Sequence, residues 1–215
     1  LFCDGGGALG NRCSDYGGEV KRIALAGGIG AGKSTVLEHL RSLGLVTIDA
    51  DDVAREVVAS GSPVLRAIVD AFGAGVLNEA GELDRAFVAS MVFARPENVA
   101  RLNALTHPAI GREMRRQIDE LDAAAVFVAI PLLRPSHRTD LALDEVWAVL
   151  TSPEVALERL TSLREMDPTD AVARIGAQMS NGERAALADV VIWNDGSPGA
   201  LLESVDALLA ERGLA

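Results

Sequence analysis

The residues Gly27-Gly28-Ile29-Gly30-Ala31-Gly32-Lys33-Ser34 satisfy the pattern G-x-x-x-x-G-K-[ST]. A stretch of this kind suits one task, holding phosphate. Glycines let the backbone wrap closely with its N–H groups turned inward, at the positive end of the helix that follows. A lysine ammonium adds a compact charge for the β- and γ-phosphates, which the planar fork of arginine does not reproduce. The serine hydroxyl offers a hard oxygen to Mg²⁺, and Thr35 a contact to the α-phosphate. Gly28, Ile29, Gly30, Ala31, Gly32, Lys33, Ser34 and Thr35 are therefore the expected nucleotide contacts, with Ser34 the expected metal contact. Composition sharpens the case for Lys33. Of the 20 basic residues only Lys21 and Lys33 are lysine, in a chain that otherwise uses arginine. The plain alternative is a glycine-rich turn that binds nothing.

A phosphate loop names the ligand and leaves the reaction open. The N-K-x-D pattern that specifies guanine is absent, and the nominal D-x-x-G at Asp70 to Gly73 falls in a helical block. Asp49, Asp51 and Asp52 stand where a strand ends, the edge at which α/β sheets bind ligands. Phosphoryl transfer needs a carboxylate to orient the acceptor and take its proton, and Asp51 is the expected one; the alternative is a helix cap. Asp52 reads as a first-turn acid. Arg164 and Arg174 are expected to close over a triphosphate, against the alternative of a solvated helix face. His107, before Pro108, is either a substrate contact or a helix-boundary hydrogen bond. Asn194, after the last strand, is either an adenine contact or a turn residue. Trp147 and Trp193 read as strand packing.

These residues need a frame, and the pattern of apolar positions supplies it. Ile23 to Ala26 is a short apolar run ending in glycines, followed by a helical stripe at Val36, Leu37, Leu40 and Leu43 that Gly44 terminates. Further strands are predicted over 45–48, 126–130, 145–150 and 190–193, with a closing helix over 200–212. Strand, glycine-rich loop, helix and strand in that order open a parallel α/β sheet. Residues 51–120 read as mostly helical, with breaks at 61–63, 73–81, Arg95-Pro96 and His107-Pro108, and form an expected inserted subdomain. Ser152 opens a helix with Pro153 in its first turn. Residues 159–185, carrying Arg159, Arg164, Arg174 and Arg184, read as exposed helix and an expected lid.

Composition excludes several classes. A net charge of −11 argues against a general nucleic-acid binder, which needs a basic footprint. No apolar run approaches the roughly 20 residues that span a bilayer, and no signal peptide is evident. Cys3 and Cys13 lie outside the patterned region, so neither a disulfide framework nor a zinc site is expected and a reducing cytosol fits. Residues 1–20 are glycine-rich and without periodicity; they are expected to be a disordered extension or an expression remnant.

Several segments together resemble the dephospho-CoA kinase family. They are Ile48-Asp49-Ala50-Asp51 with Ala54-Arg55-Glu56-Val57-Val58; Gly81 to Arg85 with Val92-Phe93; Leu102 to Pro108; and Pro131-Leu132-Leu133. Arg174-Ile175 with Gln178, and Ala188 to Ile192 with Asn194, resemble that family's lid and closing strand, so that the likeness runs from about Arg22 to Arg212. The resemblance implies a P-loop NTPase fold of the nucleotide-kinase type: a core over 21–50, 121–158 and 186–215, a CoA-binding helical insertion over 51–120 and a lid over 159–185. It implies ATP with Mg²⁺ as cofactors and transfer of phosphate to the ribose 3′-hydroxyl of dephospho-CoA. Lys33, Asp51 and Arg164 are then catalytic, and Asp49, Asp51, Arg55, His107 and Arg174 touch the substrate. A cytoplasmic monomer or weak homo-oligomer is expected, with neither nucleic acid nor membrane as partner. Two departures stand out: Arg134-Pro135 occupies the place where the family usually has Glu after P-L-L, and Ala129 stands where many P-loop enzymes carry a metal-shell Asp. The second leaves Asp49 or Asp51 as the carboxylate near Mg²⁺. The alternatives are another small-molecule kinase on this scaffold, such as a nucleoside monophosphate kinase, or a non-catalytic nucleotide switch. Acceptor preference separates the first, and the pairing of Asp51 with a lid arginine weighs against the second.

Overall fold

A computed structural model describes residues 20–93 and 95–214, so the expected extension lies outside the described residues except for Val20. Five parallel strands make the central sheet: β1 (Lys21–Gly27), β2 (Val46–Asp49), β3 (Ala125–Ala129), β4 (Glu145–Leu150) and β5 (Val190–Trp193), in the order β2-β3-β1-β4-β5. β1 is central, with Leu25 opposite Ala129 on one side and Trp147 on the other. The chain leaves β1 toward β2 and later returns to β4 on the opposite flank. The crevice beyond the carboxyl end of β1 therefore lies where the winding reverses, the place where such sheets bind ligands.

Period-two alternation in buried strands builds two cores. Ile23 and Leu25 join Phe127, Trp147 and Val149 beneath α1 (Lys33–Ser42) and α10 (Pro198–Glu211), which contribute Val36, Leu40, Leu201 and Val205. Ala24 and Ala26 join Val126, Val128 and Val146 on the other face, against Val53 of α2 (Ala50–Glu56) and Met114 and Ile118 of α5 (Pro96–Asp119). Trp147 is fully buried, edge-on to Phe127 at 5.3 Å. Trp193 departs from expectation: on edge strand β5 it is 59% exposed and packs no core.

The helical block has a small core of its own. Val58, Ile68, Val76, Val88 and Val92 cluster between α3 (Pro63–Phe72), a 3₁₀ turn (Ala74–Val76) and α4 (Arg85–Phe93), with Leu102 and Leu105 of α5 packed on them. Two of the expected breaks are real starts, since Ser62 caps α3 and Pro96 opens α5. His107-Pro108 is not a break. α5 runs through Pro108, because burial of Ala109, Met114 and Ile118 along one face offsets the lost N–H and ring clash. After β3 comes α6 (Pro135–Asp140), which periodicity did not reveal. α7 (Pro153–Leu163), α8 (Pro168–Gly176) and α9 (Asn181–Leu187) follow β4 and complete the chain before β5. Among the described residues no helix is long and apolar enough to cross a membrane.

Candidate active site

The phosphate loop starts at Gly27, the last residue of β1, where an added Cβ would stand 2.9 Å from the Val149 carbonyl oxygen. It ends at Gly32, the N-cap of α1, with φ +92° and no side chain to cap the helix. The first N–H groups of α1 are thus left for an anion. The loop is held from outside. Asn194, 5% exposed, donates from Nδ2 to the Ala31 carbonyl oxygen at 2.9 Å. Arg159 on α7 donates to the Gly30 carbonyl oxygen at 3.3 Å, and also to Asn194 Oδ1 and the Gly196 carbonyl oxygen. A cleft of about 310 Å³ opens there between Gly32, Thr35, Arg159, Leu163, Asn194 and Pro198. Asn194 is therefore a brace of the loop as well as a wall of this cleft.

A second cleft of about 340 Å³ brings together Lys33, Ser34, Asp49, Asp51, Arg164 and Gln178. Burial lowers the pKa of Lys33, while Asp49 and Asp51 oppose that shift and Arg184 adds to it. The two carboxylates differ in what they do. Asp49 is the N-cap of α2, its Oδ1 accepting from Asp51 N–H at 2.9 Å. Asp51 is exposed in the first turn, with its side chain free of that duty. Arg164, at the C-cap of α7, lines both clefts. Arg55 and Arg174 line neither: Arg55 pairs with Asp52 on the surface of α2, and Arg174 is exposed in the last turn of α8.

Arg184 was expected on an exposed face and is instead 8% exposed. Its guanidinium lies against Gly28, where a Cβ would meet Nη1, Cζ and Nη2 at 3.2 to 3.3 Å. Nη2 donates to Gln178 Oε1 at 3.1 Å, and the same oxygen accepts from Ile29 N–H at 2.9 Å. Among the described residues no carboxylate pairs with Arg184, and burial lowers its pKa. A desolvated cation against a phosphate loop is prepared for phosphate oxygens. A local signal existed in the sequence, since the capping box Ser180 to Glu183 fixes the start of α9 and so the face on which Arg184 falls. Which face would be covered is a tertiary matter and was not readable.

A third cleft, about 380 Å³, adjoins the carboxylate end through Ala50 and is lined by His107, Met114, Arg134 and His137. His107 thus faces a cavity, and does not mark a helix boundary.

The model of the dephospho-CoA kinase family matches residues 21–199. The chain belongs to the dephospho-CoA kinase family. A dephospho-CoA kinase of Carboxydothermus hydrogenoformans is 40% identical over 190 residues, covering 87% of this chain and 92% of that one. A solved protein from Thermus thermophilus superposes with a TM-score of 0.74 at 30% identity, over 90% of this chain and 98% of its own. Dephospho-CoA kinase from Campylobacter jejuni gives a TM-score of 0.68 at 27% identity, over 88% and 96%. The P-loop kinase fold read from the loop and its flanking elements is the fold of these relatives.

Proposed function

We propose that the chain transfers the γ-phosphoryl group of ATP to the ribose 3′-hydroxyl of dephospho-CoA, giving CoA and ADP, the last step of CoA biosynthesis. The observation that carries this reading is the meeting of Lys33 and Asp51 in one cleft, in a chain of this family. The loop amides and Lys33 bind the β- and γ-phosphates. Arg184, already desolvated, and Arg164 stabilise the charge that spreads over the transferred group in a loose transition state. Asp51 orients the acceptor hydroxyl. Its oxygen forms the new P–O bond as the bond to the β-phosphate oxygen breaks, and its proton passes to the Asp51 carboxylate. Asp49 fixes the entry to α2 and so the position of Asp51.

The hard oxygens of Ser34 and Asp49 in the same cleft suit Mg²⁺, which prefers oxygen ligands and retains water. Bound there it would neutralise charge on the β- and γ-oxygens. The helical insertion over 51–120 covers the acceptor, and residues 159–185 act as the lid that excludes water. The proposed setting is the cytosol, and the proposed form a monomer or weak homo-oligomer.

The test is release of ADP with dephospho-CoA, AMP, CMP and shikimate offered as acceptors, where turnover with dephospho-CoA is expected to exceed that with each of the others. Preference for another acceptor overturns the substrate. Asp51→Asn should lower kcat by on the order of 10²-fold with ATP affinity little changed. Loss of Mg²⁺-ATP binding together with kcat would move Asp51 to the metal, and full activity would remove it from the chemistry.

A further inference from the structure

The third cleft contains a group of side chains that the transfer chemistry does not use. Arg134 Nη1 lies 3.5 Å from His107 Nδ1, and Nη2 lies 3.2 Å from His137 Nε2. The Arg134 backbone N–H also points at His137 Nδ1, at 3.2 Å. A guanidinium has only donors, and a neutral imidazole accepts at one nitrogen only. Both nitrogens of His137 face a donor, so one of these approaches meets an N–H and is not a hydrogen bond. Asp140 is the acid on the same wall, yet no carboxylate pairs with Arg134 among the described residues. Arg138, next along α6, is occupied by Asp189. The cluster has an excess of donors and lacks an acceptor.

The position of the cleft says what supplies one. Ala50, part of its wall, directly precedes Asp51. In dephospho-CoA the adenine, ribose and pantetheine arm are uncharged at neutral pH, and the 5′-diphosphate is the ionised part. We infer that Arg134, His107 and His137 form an anion subsite for the 5′-diphosphate of the acceptor, which holds the ribose 3′-hydroxyl toward Asp51. The inference rests on the proposed acceptor. The remaining wall, with Ile110, Met114, Ile130 and Leu141, is apolar and suits the uncharged parts of the same molecule.

Burial and then the Arg134 charge lower the pKa of His107; the same two causes lower that of His137, opposed by Asp140. An arriving diphosphate favours the imidazolium and raises both. Histidine ring-proton NMR of the wild-type protein, titrated over pH with and without dephospho-CoA, reads this directly. The chain has three histidines, and His39, held by Asp206 at 2.6 Å between α1 and α10, is the reference. The expected result is an upward shift at His107 and His137 and none at His39. Unmoved values, or one common shift at all three, overturn the subsite. Inorganic pyrophosphate should give the same pattern, so the subsite stands or falls independently of turnover. If pyrophosphate moves both signals while the wild type fails to phosphorylate dephospho-CoA, the proposed reaction fails and the anion site survives. In steady state Arg134→Gln should raise KM for dephospho-CoA roughly ten- to a hundredfold, with kcat and KM for ATP within about twofold. Adenosine, which lacks the diphosphate, should lose nothing as an acceptor in the same variant. Equal losses with adenosine and dephospho-CoA assign Arg134 to bracing α6 and overturn the role.

Discussion

Gly32→Ala tests how the phosphate loop is held. Gly32 sits at φ +92°, and an added Cβ would lie 2.4 Å from Asn194 Nδ2, closer than non-bonded atoms approach. Left-handed backbone costs an alanine about 1–2 kcal/mol. The amide must also swing away, breaking its hydrogen bond to the Ala31 carbonyl in a place where Asn194 is 5% exposed. Leaving such groups unpaired costs about 1–3 kcal/mol. Alanine stiffens the unfolded chain and returns about 0.4–1 kcal/mol. The expected net loss is about 2–4 kcal/mol, a large share of the roughly 5–15 kcal/mol that stabilises a domain. Gly61 provides the control, since it has φ +79° with nothing within 4 Å of an added Cβ. Gly61→Ala therefore carries the backbone strain alone and should cost about 1 kcal/mol. Equilibrium unfolding in urea, fitted with a common m-value, measures both. Equal losses in the two variants would refute the reasoning, because the clash with Asn194 would then count for nothing. Nucleotide affinity should fall in Gly32→Ala and stay unchanged in Gly61→Ala.

Lys33→Arg keeps the charge but replaces an ammonium by a fork too wide for the cradle, and should lose most ATP turnover; near-normal turnover would refute the phosphate-loop assignment. Glu145 is pushed up by burial, but hydrogen bonds from Lys21, Trp147 and Arg212 outweigh this and hold its pKa at about 2. A carboxyl lowered on folding contributes stability that is fully present above its ordinary value of 4.5 and is lost as pH falls toward 2. Glu145→Gln should therefore cost on the order of 2–3 kcal/mol near neutral pH, and the gap from wild type should close between about pH 4.5 and 2. A gap independent of pH, by urea unfolding, would show that packing and not ionisation accounts for the loss.

The strands and the loop were legible because their signals are local. Val146 to Leu150 and Val190 to Trp193 are continuous apolar runs, and they make up all of β5 and all of β4 but its first residue, Glu145. The glycine-lysine pattern fixed the nucleotide cradle, and the run Asp49 to Asp52 placed carboxylates at the strand end where the cleft lies. What was missed depends on contacts between distant segments. Pro108 reads as a breaker, yet the buried face of α5 overrides it. Arg184 lies in the same arginine-bearing helical stretch as Arg164 and Arg174, and its burial against the loop depends on where α9 docks. Arg55 and Arg174, carried over by resemblance, are not among the residues that line these clefts. The cluster in the third cleft joins His107 of α5 to Arg134, which opens α6, two residues 27 apart in sequence, a pairing no periodicity shows.

The brace between Asn194 and Ala31 spans 163 residues of chain. During synthesis the cradle therefore emerges well before the side chain that holds it. At roughly 5–20 residues per second the interval is on the order of ten to thirty seconds. Through that time the loop has its sequence but not its full support. A nascent or truncated chain lacking β5 is thus denied a finished nucleotide site, and competence to hold ATP arrives only when the sheet is closed.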